Sequence, residues 1–198
     1  MIAGLLLASG ASRRFGADKL LAPLDGRPVV RWSAEALVGA VDELVVVVRE
    51  DASQVRAALA GLPIRWSVNR EADRGMSSAI RAGIAALPMH AEAAIVALGD
   101  QPLVDRHVVA RLVDRWRAHR ARAVQPRYDD GPGHPVLFDA TLFPALSALE
   151  GDVGARAVLD ALGDALDVVA IAGTRPIDID TPETLRAVAD VLARRGRD

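Results

Sequence analysis

Three uninterrupted apolar runs, Ile2–Ala8, 44–48 and Ala93–Leu98, constrain the fold of this chain more than any other feature. A strand that is apolar on both faces must be covered on both faces, as strands are in a parallel sheet and are not in a half-solvated antiparallel one. Segments of helical periodicity lie between such runs, at 28–40, 52–60, 77–87 and 155–162. The plainest follows Asp105, which is placed to cap it, and puts Val108, Val109, Leu112, Val113 and Trp116 on one face. Thr181 followed by Pro182 opens a last helix, because proline at the first helical position lacks only an N–H that would go unpaired. With 64–68, 123–126, 135–138 and 166–172 extended, strand and helix alternate along the chain. The expected fold is a three-layer α/β/α, Rossmann-like arrangement with a mostly parallel central sheet and right-handed crossovers.

At 198 residues such a sheet fits one domain, spanning 1–198. The net charge is −2 and no basic stripe interleaves with aromatic residues, which disfavours nucleic acid as a partner. No run approaches the roughly 20 apolar residues of a membrane span, and the first apolar stretch lacks the length and basic start of a signal peptide. The absence of cysteine excludes disulfides, thiolate catalysis and cysteine-ligated zinc, and fits a reducing compartment. A soluble cytoplasmic protein is the expectation.

Ligands of open parallel sheets bind beyond the carboxyl ends of the strands. Segments 9–19, 69–78 and 99–102 all follow strands, so they should converge on one edge. The first combines Gly10 and Gly16 with Ser9, Ser12, Arg13 and Arg14, and ends on Lys19, the only lysine among 24 basic residues. Glycines let backbone N–H groups approach phosphates, and a lysine ammonium on a flexible stem suits a triphosphate as a point charge. The spacing matches neither a Walker A loop nor a G-x-G-x-x-G fingerprint. Phosphate binding and a solvated loop of scattered charge both fit these residues.

Asp100, just past a buried strand, suits Mg²⁺, which takes one or two carboxylates plus substrate phosphates. It also suits a turn aspartate that caps the next helix. Asp178 and Asp180 flank Ile179, so an extended backbone puts both carboxylates on one face, as metal ligands or as a helix start. Asn69, Gly75, Ser77 and Ser78 fit contacts to a base or ribose as well as they fit a plain N-cap. His134 reads as a general base or a turn histidine, and Arg156 as an anion contact or an exposed helix arginine. Segment 127–134 is the one expected to move or to cover a substrate.

Taken together these segments resemble the nucleotidyltransferase superfamily, and within it the molybdenum cofactor cytidylyltransferase group. The pattern L-A-x-G-x-S-x-R-[MF]-G-x-x-K is matched by Leu7, Ala8, Gly10, Ser12, Arg14, Phe15, Gly16 and Lys19. LLAPLDGRPVV, GMSSAIRAGI, LGDQPLV, GHPVLF, GDVGAR and DIDTPETL follow in the family's order, so the resemblance spans positions 5 to about 185. It implies CMP transfer from CTP to the terminal phosphate of a molybdopterin-type cofactor, with release of pyrophosphate and Mg²⁺ or Mn²⁺ as the metal. Arg14 and Lys19 would hold the triphosphate, with Leu7, Ala8, Ser9, Gly10, Ser12 and Gly16 around it. Asp100 and Asp180, with Asp178 the weaker ligand, would hold the metal, and Asn69, Gly75 and Ser77 would read the base. Gln101, His134 and Arg156 would line the acceptor side, and a molybdenum hydroxylase would receive the product. Ser9 stands where the family usually has alanine or glycine, which bears on CTP against GTP. GHPVLF and DIDTP are closer to the cytidylyl group. The rival readings are a GTP-dependent guanylyltransferase, transfer to another small phosphate acceptor, and a noncatalytic chaperone for a pterin cofactor.

Overall fold

The computed structural model describes residues 1–10, 15–152 and 154–195. Its main sheet has the strand order β10-β7-β9-β6-β1-β4-β5. These strands are β1 (Ile2–Ala8), β4 (Glu43–Val48), β5 (Ile64–Val68), β6 (Ala93–Leu98), β7 (Ala123–Tyr128), β9 (Val136–Asp139) and β10 (Leu166–Ala170). Two short strands, β2 (Pro23–Leu24) and β3 (Arg27–Pro28), form a separate hairpin, and β8 (Gly131–Pro132) pairs with β7. Pairing is parallel from β6 through β1 and β4 to β5, and between β7 and β10. Only β9 runs against its neighbours β6 and β7 within the main order.

Alternation along the strands explains the three layers. Leu6, Ala8, Val46, Val48 and Ile95 point to one face, where α1 (Val29–Leu37), α2 (Ser53–Ala58) and α4 (Arg106–His119) cover them. Leu5, Leu7, Val45, Val47 and Val96 point to the other, beneath α3 (Met76–Ala85), α5 (Phe143–Ser147) and α6 (Arg156–Asp160). The Asp105 carboxylate accepts from His107 N at 2.8 Å and starts α4, whose five apolar positions are all buried. The last helix, α7 (Pro182–Arg195), begins at a reciprocal cap: Thr181 Oγ1 accepts from Thr184 N, and Thr184 Oγ1 accepts from Thr181 N at 3.1 Å. A third apolar cluster joins α7 to the β2–β3 hairpin through Leu24, Val29, Leu103, Ile179 and Val188.

The parallel, doubly covered sheet is as expected, and three local features differ. The β2–β3 hairpin turns on Asp25-Gly26, both with positive φ (48° and 73°), the backbone that a two-residue hairpin favours. Helix α5 interrupts a stretch that carries no clear periodicity. Segment 127–134, expected to be irregular, is a hairpin of β7 with β8 tied across to 173–175. Asp129 N donates to Gly173 O at 2.9 Å, Gly173 N returns a bond to Asp129 Oδ2 at 2.8 Å, and Arg175 N donates to Asp130 Oδ1 at 2.9 Å. The last of these, with the Arg175 guanidinium, holds the Asp130 carboxyl below its ordinary range. Among the described residues, no helix is long and apolar enough to cross a membrane.

Helix α3 lies against β1 at Gly83. A Cβ there would stand 2.9 Å from Leu5 Cγ, and Leu5 is fully buried with nowhere to swing. Alanine at a helix interior gains up to about 1 kcal/mol over glycine, and overpacking costs about 1–3 kcal/mol. Gly83→Ala should therefore lower stability by about 1–2 kcal/mol in urea unfolding, a balance of those two terms. A more stable variant would mean that α3 is free to slide off the sheet.

Candidate active site

Because β1, β4, β5 and β6 run the same way, the segments that follow them open on one edge of the sheet. The chain leaves β1 toward β4 on one side, and β6 joins β1 on the other, so strand order reverses at β1. A crevice forms at such a reversal. Ser9 and Gly10 enter it from β1, and Gly99 and Asp100 from β6. A Cβ on Gly99 would lie 3.0 Å from Leu7 O, so glycine lets the two strand ends stay close. The reversed β9 starts where its parallel neighbours end, which brings His134 to the same edge.

The segment after β10 closes the crevice. Ile179 N donates to Asp100 O at 3.0 Å, and the Ile179 side chain, 0% exposed, is anchored in the apolar cluster under α7. The flanking carboxylates therefore both face the crevice, as alternation predicted, but they take different partners. Lys19 Nζ lies 2.6 Å from Asp100 Oδ2 and 2.7 Å from Asp180 Oδ1. Asp178 Oδ1 instead accepts from Gln101 Nε2 at 2.7 Å. Gln101 is 5% exposed, and its Oε1 is buried with no hydrogen-bond partner among the described residues.

Charge and burial compete here. Burial works against the Lys19 ammonium, but Asp100 and Asp180 outweigh it, and Lys19 holds its proton more tightly than an ordinary lysine. Burial pushes the Asp100 carboxyl up, Asp178 adds to the push, and Lys19 opposes both without cancelling them. His134 is moved the other way: burial lowers it more than Asp178 and Asp100 raise it, so it is neutral at pH 7. Tyr128, whose hydroxyl donates to His134 O at 3.2 Å, is pushed up to about 12 by burial and by Asp105 and Asp130.

Two hollows share this edge. A cleft of about 550 Å³ is lined by Leu7, Ser9, Gly10, Lys19, Gly75, Asp100, Asp178 and Asp180, together with Asp73, Met76 and Asp152. A second of about 440 Å³, lined by Gln101, Gln125, Asp130, His134 and Arg175, meets it at Asp178. Ser12 and Arg14 fall outside the described residues, and Gly16, with φ of 78°, turns the loop without lining the cleft.

Three residues expected at the site lie away from the lining of both hollows. Asn69 lies behind the cleft: its Nδ2 donates to Ser9 Oγ at 3.2 Å and Ser78 Oγ at 2.9 Å, fixing the end of β1 against α3. Ser77 is fully buried and donates to Glu150 O at 3.2 Å. Arg156 stands exposed on α6 beside Asp160 and lines neither hollow. Conversely, the residue that caps α3 comes from far along the chain. Asp152 Oδ1 accepts from Met76 N at 2.9 Å, and its backbone passes so near Gly75 that a Cβ would sit 2.9 Å from Asp152 Cα. An aspartate in a glycine-flanked turn carries no local signal of that contact. Ala8 is buried in β1 and supports the loop from below.

A divalent cation fits this donor set in a limited way. No group of three or more His, Cys, Asp or Glu side chains among the described residues could hold a metal ion unaided. Magnesium does not need one, since one or two carboxylates and substrate phosphates suffice. Asp100 and Asp180 present two, already gathered around one cation.

Residues 4–166 match the family model of the MobA-like NTP transferase domain. Nicotine blue oxidoreductase of Paenarthrobacter nicotinovorans is 40% identical over 167 residues, covering 80% of this chain and 81% of that protein. A probable molybdenum cofactor guanylyltransferase of Natronomonas pharaonis is 30% identical over 199 residues, covering 96% and 98%. The crystal structure of Rv0371c from Mycobacterium tuberculosis H37Rv superposes with a TM-score of 0.86 at 30% identity, over 96% of this chain and 97% of that one. The same protein has been solved with manganese, at a TM-score of 0.80. A parallel sheet with its charged crevice at the β1 reversal, and a family match over most of the chain, have one conclusion: this chain belongs to the MobA-like NTP transferase family.

Proposed function

We infer that this nucleotidyltransferase moves CMP from CTP onto the terminal phosphate of a molybdopterin-type cofactor and releases pyrophosphate. The observation that carries the reading is Lys19 held between Asp100 and Asp180 at the mouth of the cleft. Substitution at the α-phosphorus asks mainly for positioning and for neutralisation of charge, with attacking and leaving oxygens in line. Lys19, with Arg14, would neutralise the leaving pyrophosphate, while Gly10 and the loop backbone cradle the triphosphate. Asp100 and Asp180 would hold Mg²⁺ or Mn²⁺, which supplies positive charge at the α-phosphate. The Ser9–Asn69–Ser78 bonds keep the β1 end rigid, and so keep the loop in register with Asp100. The second hollow, with Gln101, Gln125 and His134, is the acceptor side. A phosphate nucleophile, with its second pKa near 6, is ionised at neutral pH and needs no general base, which agrees with a buried, neutral His134.

GHPVLF and DIDTP support CTP. The name of the Natronomonas relative supports GTP as a second reading, and Ser9, at a position usually alanine or glycine, weakens the case for CTP without favouring GTP. The Paenarthrobacter relative bears an oxidoreductase name, which sets a redox rival beside both. Pyrophosphate release with CTP, GTP, ATP or UTP, each with and without molybdopterin, separates these readings. Release only with CTP and the pterin is the expected outcome. No release with any pair, alongside turnover in a redox assay, would favour the redox rival, and no turnover of either kind would favour a cofactor-binding chaperone that hands its cargo to a molybdenum hydroxylase.

Lys19→Ala and Asp100→Asn should each lower the rate of pyrophosphate release by roughly 100- to 1000-fold, as loss of one placed charge does. Near-wild-type turnover in either would remove its assigned role. His134 gives a separate check on stability. Its folded pKa lies below the ordinary 6.5, so the unfolded chain takes up the proton first as pH falls. The stability tied to its neutral state is complete above pH 6.5 and is lost as pH falls from there toward the lowered folded value. His134→Gln should therefore show a shallower loss of unfolding free energy than the wild type between pH 7 and 5, and identical slopes would sink the assignment.

A further inference from the structure

Lys19 Nζ contacts both carboxylates that the proposed reaction gives to a divalent cation, at 2.6 and 2.7 Å. Rigid elements meet at this point. Asp100 follows buried β6, Asp180 is set by the buried Ile179 next to it, and Lys19 starts a short 3-10 turn capped by Asp18, whose Oδ1 accepts from Leu20 N at 3.0 Å. A cation bonded at about 2.1 Å to the same two oxygens would lie within roughly 4 Å of the ammonium, with little water between to screen like charges. The two positive groups therefore compete for the pair. Asp178 offers no easy alternative, because Gln101 holds it at 2.7 Å.

We propose that Lys19 is a built-in counter-ion for the two metal-binding carboxylates, exchanged for the divalent cation and thereby released onto the triphosphate. The inference rests on reading Asp100 and Asp180 as metal ligands. Lys19 is 12% exposed in its paired position and lines the same cleft as Ser9 and Gly10, so its flexible stem can swing from the carboxylates to a phosphate without moving the backbone. A planar arginine fork would span the two carboxylates and be slower to let go, which gives a physical reason for lysine here in a chain otherwise basic only through arginine. The exchange also keeps buried Asp100 compensated at every stage: by ammonium before the cation arrives, and by the cation afterward. Lys19 then reaches the triphosphate only once the metal position has been filled.

Manganese binding to the nucleotide-free protein, read from the loss of the free-ion paramagnetic signal, tests the competition without turnover. Lys19→Ala should bind Mn²⁺ at least about tenfold more tightly than the wild type, since the competitor is gone, and Lys19→Arg should bind no more tightly than the wild type. Equal or weaker binding by Lys19→Ala overturns the proposal. Wild-type protein supplies a second readout that needs no variant. As the only lysine, Lys19 lies in the arginine-bounded peptide 15–31, since Pro28 blocks cleavage at Arg27, so amine acylation followed by mass spectrometry reports on it alone. Saturating Mn²⁺ should raise its labelling several-fold, with the Met1 amine, paired to Glu92 away from the cleft, as reference. Unchanged or reduced labelling would also overturn the exchange. Adding CTP or GTP should then bury Lys19 again. Exchange with Mn²⁺ but no protection by any nucleotide would leave the counter-ion role standing and remove the nucleotidyl-transfer reading.

Discussion

Everything at the functional edge depends on β1 being paired in parallel on both sides at once. Its seven residues are all buried, and it takes register from β4 on one side and β6 on the other. No other arrangement of these strands would put the end of β1 beside the end of β6 while sending the chain away in the opposite direction. The crevice is a gap left by connectivity rather than a hole cut in a core. Its floor is consequently strand-end backbone and apolar side chains, with Gly99 at the point of closest approach, and its charge has to be brought in from elsewhere.

That charge arrives from three distant parts of the chain, and each arrives with an apolar anchor. Lys19 precedes the buried Leu20, Asp100 follows the β6 run, and Asp178 and Asp180 sit either side of Ile179. The anchors set the positions, and the ionised groups then settle their accounts locally: Lys19 with two carboxylates, Gln101 with the third. The cost of burying Asp100 is carried by packing that would exist without it. Ser33 Oγ, donating to Gly99 O at 3.0 Å, and Ile179 N, donating to Asp100 O, fix the same short segment at two successive carbonyls.

Much of this was legible in the sequence because it is local. The three apolar runs, the Asp105 cap, the Thr181-Pro182 start and the alternation around Ile179 each depend on residues a few positions apart, and each appears where the pattern places it. Asp25-Gly26 carries an equally local hairpin signal. The rest depends on side chains that meet across long stretches of chain. Nothing near Asp152 tells of Met76, nothing near Gln101 tells of Asp178, and the burial of Asn69 and Ser77 behind the cleft follows from how α3 seats on the sheet. The direction of β9 is of this kind as well. Its apolar run suits either orientation, and only the hairpin route through β8 decides between them.

The reversal of β9 divides the edge into two halves with different origins. On one side, strand ends in a parallel array are tied to each other by register, so no loop can be lengthened without consequence for its neighbours. On the other, the β7–β8 hairpin and the 173–175 strap form a self-contained clasp, closed by Asp129 and Asp130 on Gly173 and Arg175. A clasp of that sort can be exchanged or reshaped while the array beside it stays intact. Two proteins built on this plan could therefore keep a common nucleotide half and accept quite different second substrates, which would let the same scaffold carry the unlike names borne by its relatives.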